Sequence, residues 1–214
     1  YGGDYFSFVL IGVALGTYTT LSLQVFNQTI RRSQMSGTME ALLSTQTSLP
    51  VIVLSSALYS FLLGTLHVVV YLVAGVVVFD ARLEGANFVG AALVLLLTIL
   101  STASIGIISA SFIMVFKQGD PVTLLFNGAS WLLSGVMYPV AVLPGSLQGV
   151  SAFLPMTHGL EGMRLALLKG ASLGELAPEL GVLALFAGIL LPASLLFFRY
   201  AVYRARLDGS LAHY

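Results

Sequence analysis

Apolar residues fall into five long runs separated by short polar stretches, and this pattern predicts helices that cross a membrane. The runs cover residues 6–26, 51–79, 88–116, 122–138 and 180–198, and the run at 122–138 is the shortest. A helix needs about 20 apolar residues to cross the hydrocarbon core of a bilayer. We therefore expect an all-α integral membrane fold in which residues 1–214 form a single domain with five transmembrane helices.

The composition strengthens this prediction. Charged residues make up 8% of the 214 residues and hydrophobic residues make up 57%. An ordinary soluble domain has about 25% charged residues, whereas lipid solvates apolar side chains that face outward. The chain has no cysteine, which excludes disulfides and thiolate metal sites. Its net charge is zero and it has no basic block, so we expect no nucleic-acid partner.

The connection at residues 27–50 is polar, and its centre reads TMEALLSTQ. Thr38 can cap a helix, and Glu40 would lie in the first turn, where the helix dipole favours an acid. The apolar positions recur at helical spacing on one face and are Met39, Leu42 and Leu43. The pattern predicts a short amphipathic helix that either docks on a partner protein or rests on lipid.

The connection at residues 139–178 is long, only moderately apolar and broken by proline. Pro139, Pro144 and Pro155 would each interrupt a continuous helix. The segment therefore predicts two short helices that lie at the membrane interface or dip into it. We call residues 139–178 the outer hairpin.

Basic residues are unevenly divided between the two sets of connections. Cytoplasmic loops are enriched in Lys and Arg, so the richer set should face the cytoplasm. Tyr1 would then lie outside and the C-terminus inside, in a multi-pass protein of a bacterial plasma or inner membrane. The richer set contains Arg31, Arg32, Lys117, Arg199, Arg204 and Arg206, and the poorer set contains Arg82, Arg164 and Lys169.

Two stretches resemble the permease subunit of the type-2 ABC exporters, which export drugs, lipids and polysaccharides. Residues 30–50 are similar to the family's cytoplasmic connection, with basic residues, a Gly-Thr-x-Glu core, a Leu-Leu pair and a proline. Residues 138–170 are similar to its outer hairpin, and His158 looks most like the lipooligosaccharide and antibiotic-resistance branch. The matching residues are Gly37, Thr38, Glu40, Leu42, Leu43, Pro50, Pro139, Pro144, Leu154, Pro155, Glu161 and Arg164.

The resemblance implies a division of labour between subunits. Separate ATP-binding cassette ATPases would bind ATP and Mg²⁺, and this chain would bind no cofactor. The segment containing Thr38, Met39, Glu40, Leu42 and Leu43 would contact those ATPases. A second permease half, expected to be an identical chain, would complete a route out of the cytoplasm for amphipathic, lipid-linked or drug-like cargo.

The family has six spans with both ends in the cytoplasm, and the first of the six is missing here. We therefore expect the native polypeptide to have a further span ahead of Tyr1. On that expectation, the run at residues 6–26 should show an incompletely covered apolar face.

Other chemistry is poorly supported by the sequence. No phosphate-binding loop is present, because neither Lys117 nor Lys169 is followed by Ser or Thr. Ser130 lies in a Gly-Ala-Ser sequence that resembles part of a rhomboid-type protease motif, but Trp131 replaces the glycine of that motif. The histidines lack the spacing of metal ligands and are His67, His158 and His213.

Polar residues inside the predicted spans have two interpretations each. His67 lies in the middle of the second run, where an ionisable group is either functional or bonded to a neighbouring helix. A polar stripe in the fourth run could line a substrate path or hold helices together. Its residues are Asn127, Ser130, Trp131 and Ser134.

Glu161 and Arg164 are three residues apart, so one helix face would carry both side chains. The pair could clasp the outer mouth of the pathway, or it could be an exposed ion pair worth less than about 1 kcal/mol. The resemblance favours the clasp.

Two other classes of function compete with an exporter subunit. An ion-coupled secondary transporter would need intramembrane charges, and the predicted spans contain almost none. A membrane scaffold without transport activity is the second alternative. Co-purification with an ATPase subunit would separate the three.

The charge distribution predicts a topology that cysteine labelling can test, because the chain has no native cysteine. In intact cells, an impermeant thiol reagent should label Arg82→Cys and leave Lys117→Cys unlabelled. Labelling of Lys117→Cys but not Arg82→Cys would reverse the predicted orientation.

Overall fold

The computed structural model describes residues 5–35, 49–79, 85–116 and 121–207, and within them all regular structure is helical. This result confirms the predicted all-α fold. A short 3-10 turn at Val140–Val142 precedes the fifth helix. The helices are α1 (Tyr5–Met35), α2 (Leu49–Phe79), α3 (Phe88–Phe116), α4 (Pro121–Leu133), α5 (Gly145–Ser151), α6 (Pro155–Leu168) and α7 (Leu173–Leu207).

Within the described residues, four helices rather than five are long and apolar enough to cross a membrane: α1, α2, α3 and α7. Helix α4, predicted as a span over residues 122–138, has only 13 residues. At 1.5 Å per residue it is about 20 Å long, shorter than the roughly 30 Å hydrocarbon core. It ends at Leu133 because the chain turns at Gly135, whose φ of 80° favours glycine.

The ends of α1 and α2 shorten the connection that the sequence placed at residues 27–50. Helix α1 continues to Met35 and α2 begins at Leu49, so Arg31 and Arg32 lie in the last turns of α1. Pro50 occupies the second position of α2, where its missing N–H costs little. The predicted coupling residues Thr38, Met39, Glu40, Leu42 and Leu43 lie outside the described residues.

Helix α7 begins earlier than the predicted boundary at residue 180. The Glu175 carboxylate accepts hydrogen bonds from the Ser172 backbone N–H at 2.7 Å and from the Ser172 hydroxyl at 2.9 Å. This Ser-x-x-Glu pairing is a capping box that starts the helix at Leu173. Pro178 therefore lies inside α7 rather than at the end of the outer hairpin.

Helices α1 and α3 occupy the centre of the bundle, with α2 packed on α1 and α7 packed on α3. One apolar cluster joins the C-terminal halves of α1, α3 and α7 and contains Phe26, Met114 and Phe198. The other cluster joins the N-terminal halves of α1, α3 and α7 to α6. It contains Leu15 and Leu160. The basic residues of α1 and α7 are therefore at one end, and the outer hairpin is at the other.

Helix α1 does not show the uncovered apolar face that the sequence led us to expect. Its apolar residues Ile11, Leu15 and Phe26 are each 1% exposed, whereas Thr17 and Gln28 are exposed. Large apolar residues are instead exposed along α2 and α7, as expected for helices that face lipid. Beyond Tyr5 and Phe6 in its first turn, the exposed residues of α1 are polar or charged.

The sequence has a G-x-x-x-G pair at Gly12 and Gly16, which predicts that another part of the fold can approach α1 closely. Both glycines lie at tight contacts of α1. A Cβ on Gly12 would collide with the carbonyl oxygen of Val136. A Cβ on Gly16 would lie 3.2 Å from the Trp131 ring. The prediction that this pair allows close approach is confirmed.

Gly12→Ala should lower the free energy of unfolding by about 2 kcal/mol, because a rigid backbone carbonyl cannot move away from the added methyl group. Thermal unfolding in detergent, followed by the fluorescence of the single tryptophan, measures this change. Gly128→Ala is the matched control, since nothing lies within 4 Å of its added Cβ. Equal melting temperatures for the two variants would contradict the assigned packing.

Candidate functional site: a polar cleft and an outer pocket

A polar stripe follows one face of α1 and faces α4. Thr17, Thr20, Gln24 and Gln28 are spaced by three or four residues, so they share a helix face. Two cavities of about 400 and 670 Å³ open along this stripe, and both are lined by Gln24 and Gln28. We call the space between α1 and α4 the polar cleft.

Hydrogen bonds hold α4 against the stripe. Trp131 Nε1 donates to Thr20 Oγ1 at 3.1 Å, and that hydroxyl donates to Asn127 Oδ1 at 2.8 Å. Asn127 and Trp131, which the sequence proposed for a substrate path, therefore both line the cleft. The same bonds also hold the two helices together, and the substrate path stays a prediction.

The glutamines in the cleft have no hydrogen-bond partner within the described residues. Gln24 is half-buried and Gln28 is exposed. Both lie in the part of α1 that is long and apolar enough to span the membrane. An amide without a partner is costly in hydrocarbon, so this face requires water, cargo or another polypeptide.

A cluster of three polar side chains closes the cleft near its end at Arg31. Asn27 Nδ2 donates to Thr123 Oγ1 at 2.9 Å and to Ser109 Oγ at 3.2 Å. The Thr123 hydroxyl donates to Ser109 Oγ at 3.0 Å. Because these buried groups join α1, α3 and α4, they fix the position of the short helix. The sequence analysis missed this cluster, since its members are far apart in the chain.

The outer pocket is a second polar cavity, of about 270 Å³, between the end of α4, α5, α6 and α7. Pro139 and Ser134 line it together with four ionisable side chains, His158, Glu161, Arg164 and Glu179. Ser134 therefore belongs to this pocket and not to the cleft. Its buried hydroxyl has no hydrogen-bond partner within the described part of the chain.

Arg164 is 2% exposed and joins three parts of the chain. Its Nη2 donates to the carbonyl oxygens of Gly135 at 2.8 Å, Val136 at 3.1 Å and Phe8 at 3.3 Å. Its guanidinium carbon also lies 3.4 Å from the centre of the Phe8 ring. Arg164 thus ties α6 to α1 and to the turn after α4. The proposed clasp with Glu161 stays a prediction.

His158 bridges α7 and the end of α5. Its Nδ1 lies 2.6 Å from Glu179 Oε2, and its Nε2 lies 3.0 Å from the carbonyl oxygen of Ala152. The hydrogen bond with Glu179 raises the pKa of His158 above its ordinary value, although partial burial opposes the rise. Glu179 was missed from the sequence because it is 21 residues from His158.

The remaining candidates lie apart from these cavities or support them. His67 is exposed on α2 and lines none of the three cavities. Ser130 is buried, and its hydroxyl has no hydrogen-bond partner among the described residues, so no base is placed for a protease mechanism. Pro144 precedes α5 and Pro155 is the first residue of α6, both suitable positions for proline.

The described residues define a multi-pass helical membrane protein with a polar cleft along one face. Residues 2–168 match the profile of the family described as ABC-2 type transporter. Since the match covers more than half of the 214 residues, the chain belongs to the ABC-2 type transporter family. It is the membrane component of an ABC exporter and not the ATPase, and the family works with ATP-binding subunits. The resemblance to type-2 ABC permeases is confirmed.

Three relatives extend the comparison. Nodulation protein J of Rhizobium meliloti (strain 1021) is 29% identical over 194 residues, covering 87% of this chain and 70% of that protein. Nodulation protein J of Sinorhizobium fredii (strain NBRC 101917 / NGR234) is 29% identical over 191 residues, with the same two shares. Linearmycin resistance permease protein LnrN of Bacillus subtilis (strain 168) is 25% identical over 170 residues, covering 78% of this chain and 43% of that protein.

Arg164→Ala should lower the free energy of unfolding by about 3 kcal/mol, because three carbonyl oxygens lose a buried cationic donor. Arg164→Lys should recover only part of this loss, since an ammonium group cannot reproduce the planar stacking on Phe8. Thermal unfolding in detergent measures both variants. The control, Lys169→Ala, alters an exposed side chain and should stay within about 0.5 kcal/mol of wild type. A similar loss in Lys169→Ala would contradict the anchoring role.

Proposed function

We propose that this chain forms half of an export pathway and that cargo contacts the polar cleft between α1 and α4. The observation that supports this proposal is the pair of amides, Gln24 and Gln28, which lack partners on a potentially membrane-spanning helix. Lipid would leave these amides unsatisfied. A second copy of the chain across the cleft would enclose a water-filled route that satisfies them.

The lining of the cleft favours amphipathic cargo. The hydroxyl of Thr20 and the amides of Gln24 and Gln28 offer hydrogen bonds, while Leu21 and the Trp131 ring offer apolar surface. A cargo with a polar head and an apolar part can contact both kinds of group. Lipid-linked and drug-like molecules fit this description, and one relative is named for linearmycin resistance.

The segment between α1 and α2 would transmit the motion of the ATPase subunits to the membrane helices. The two helices pack against each other and both end at this segment, which contains Thr38, Glu40 and Leu43. ATPase subunits that hold ATP and Mg²⁺ would push the segment when they close. Because α1 carries the glutamine stripe, a tilt of α1 would change the width of the cleft.

The ion-coupled alternative is less well supported by the cavity linings. Among the described residues that line the two cavities of the cleft, none is acidic and the charged one is Arg31 at one end. A coupling site for protons or sodium ions would need a carboxylate or a set of oxygen ligands in the route. An ATP-driven mechanism needs no ion-binding carboxylate in the cleft.

Replacing the glutamine amides tests the proposal. The chain is co-expressed with its ATPase, reconstituted in proteoliposomes and assayed for ATP-dependent movement of a fluorescent short-chain phospholipid. The double variant Gln24→Leu, Gln28→Leu should reduce transport about tenfold, because losing interactions worth about 1.4 kcal/mol changes a rate or affinity by that factor. The ATPase should still co-purify.

His67→Leu is the control, since it also replaces an exposed polar side chain on a membrane helix but outside the cleft. It should transport normally. Glu40→Lys distinguishes a coupling defect from a cleft defect. It should lower cargo-stimulated ATP hydrolysis while leaving the cleft unchanged. Equal transport by the double glutamine variant and by His67→Leu would exclude the cleft as the route.

A further inference from the structure

Both ring nitrogens of His158 face oxygen atoms that can only accept a hydrogen bond. The Glu179 carboxylate lies 2.6 Å from Nδ1, and the Ala152 carbonyl oxygen lies 3.0 Å from Nε2. A neutral imidazole has one N–H donor and one nitrogen lone pair, so it can satisfy one of these acceptors only. When Glu179 is ionised, only the imidazolium form can donate to both oxygen atoms.

These two bonds join two helices of the outer hairpin to α7. Ala152 ends α5, His158 lies in the first turn of α6, and Glu179 lies in the second turn of α7. The Phe186 ring of α7 also contacts the imidazole, at 6.2 Å between ring centres. Ser151 at the end of α5 also donates to the Leu133 carbonyl oxygen at 2.8 Å, and Thr157 of α6 donates to the Ser151 carbonyl oxygen at 2.7 Å. Loss of the bond to His158 would therefore loosen the end of α5 without detaching it.

We propose that Ala152, His158 and Glu179 form a protonation-dependent latch that closes the outer hairpin when His158 is charged and loosens it when His158 is neutral. The latch concerns the mobility of the hairpin alone, so it does not depend on the exporter proposal. Deprotonation leaves either the Ala152 carbonyl or the Glu179 carboxylate without its donor. The weaker contact, to the carbonyl of α5, is the one we expect to open.

The neighbouring charges favour the closed form. Glu179 faces His158 from α7 and Glu161 adds a second negative charge from α6, and both raise the pKa of His158. The opposing cation in the pocket is Arg164, whose guanidinium donates to backbone carbonyls. Helices α4 and α5 contain no charged residue. The latch should thus be fully closed below about pH 6.5, the ordinary histidine pKa, and should open as the pH rises through the raised value.

A spin label next to Ala152 can report this opening. Phe153 is 78% exposed, so Phe153→Cys can carry a nitroxide without disturbing the core, and the chain has no other cysteine. In lipid nanodiscs, the ratio of mobile to immobile label should rise about tenfold between about pH 5.5 and about pH 8.5, as expected for loss of one charge-assisted hydrogen bond. A label at Leu132→Cys, exposed on α4, should not respond.

Two variants in the Phe153→Cys background make the test specific to the latch. Glu179→Gln removes the charge that stabilises the imidazolium, so the transition should move to lower pH. His158→Gln removes the titrating group, so the ratio should become independent of pH. The latch is excluded if label mobility stays constant across this range in the wild type, or if His158→Gln keeps the same rise. If His158→Gln does not fold, the direction of the shift in Glu179→Gln still decides the question.

Discussion

The bilayer offers no hydrogen bonds, and this constraint determines where each polar side chain in the bundle can lie. Most of the buried hydroxyls in α1 and α3 satisfy it locally. Ser22 donates to the carbonyl oxygen of Tyr18, and Thr98 and Ser111 donate in the same way to residues four positions earlier. Such residues remain compatible with an apolar environment because their polar atoms return to their own helix. The hydroxyls of Thr98 and Ser111 are therefore already bonded within α3, which stays apolar enough to cross the membrane.

Residues that break this local pattern either join separate elements or face the polar cleft. Asn27 and Arg164 have more donors than their own helix can use, so they join separate elements. Gln24 and Gln28 reach neither their own helix nor another described one. Their amides are therefore the observation that separates the proposed route from a simple contact between helices. The distinction rests on hydrogen bonding and could not be made from polarity alone.

The sequence predicted the membrane class, the long apolar helices and the family, because each depends on composition, run length or short motifs. It also identified Gly12, where only a missing Cβ lets the chain after α4 approach α1. The predicted ends of helices were less accurate where a single residue, rather than the average hydropathy of a segment, determines where the helix begins or ends. Gly135 shortens α4, and the capping pair of Ser172 and Glu175 lengthens α7. The latter signal was present in the sequence as Ser-x-x-Glu.

The candidate sites were harder to predict, since they depend on residues brought together by the fold. Asn127 and Trp131 were identified because they lie on one short apolar run. The glutamines of α1, which form the opposite wall of the cleft, were missed. A glutamine near the end of an apolar run is interpreted as the end of the span, so its place on a helix face was not considered. Glu179, the partner of His158, was also missed. The last span was expected to begin at residue 180, but α7 begins at Leu173 and contains Glu179.

Helix α1 connects the features that an export cycle would need to coordinate. It carries the glutamine stripe of the cleft, and its Phe8 is held by Arg164 of the outer hairpin. Its other end leads into the segment that would meet the ATPases. A rigid helix held at both ends cannot tilt without moving the cleft wall and straining the contact to Arg164. The same buried contact that stabilises the outer end would therefore link an inward push to the outer hairpin.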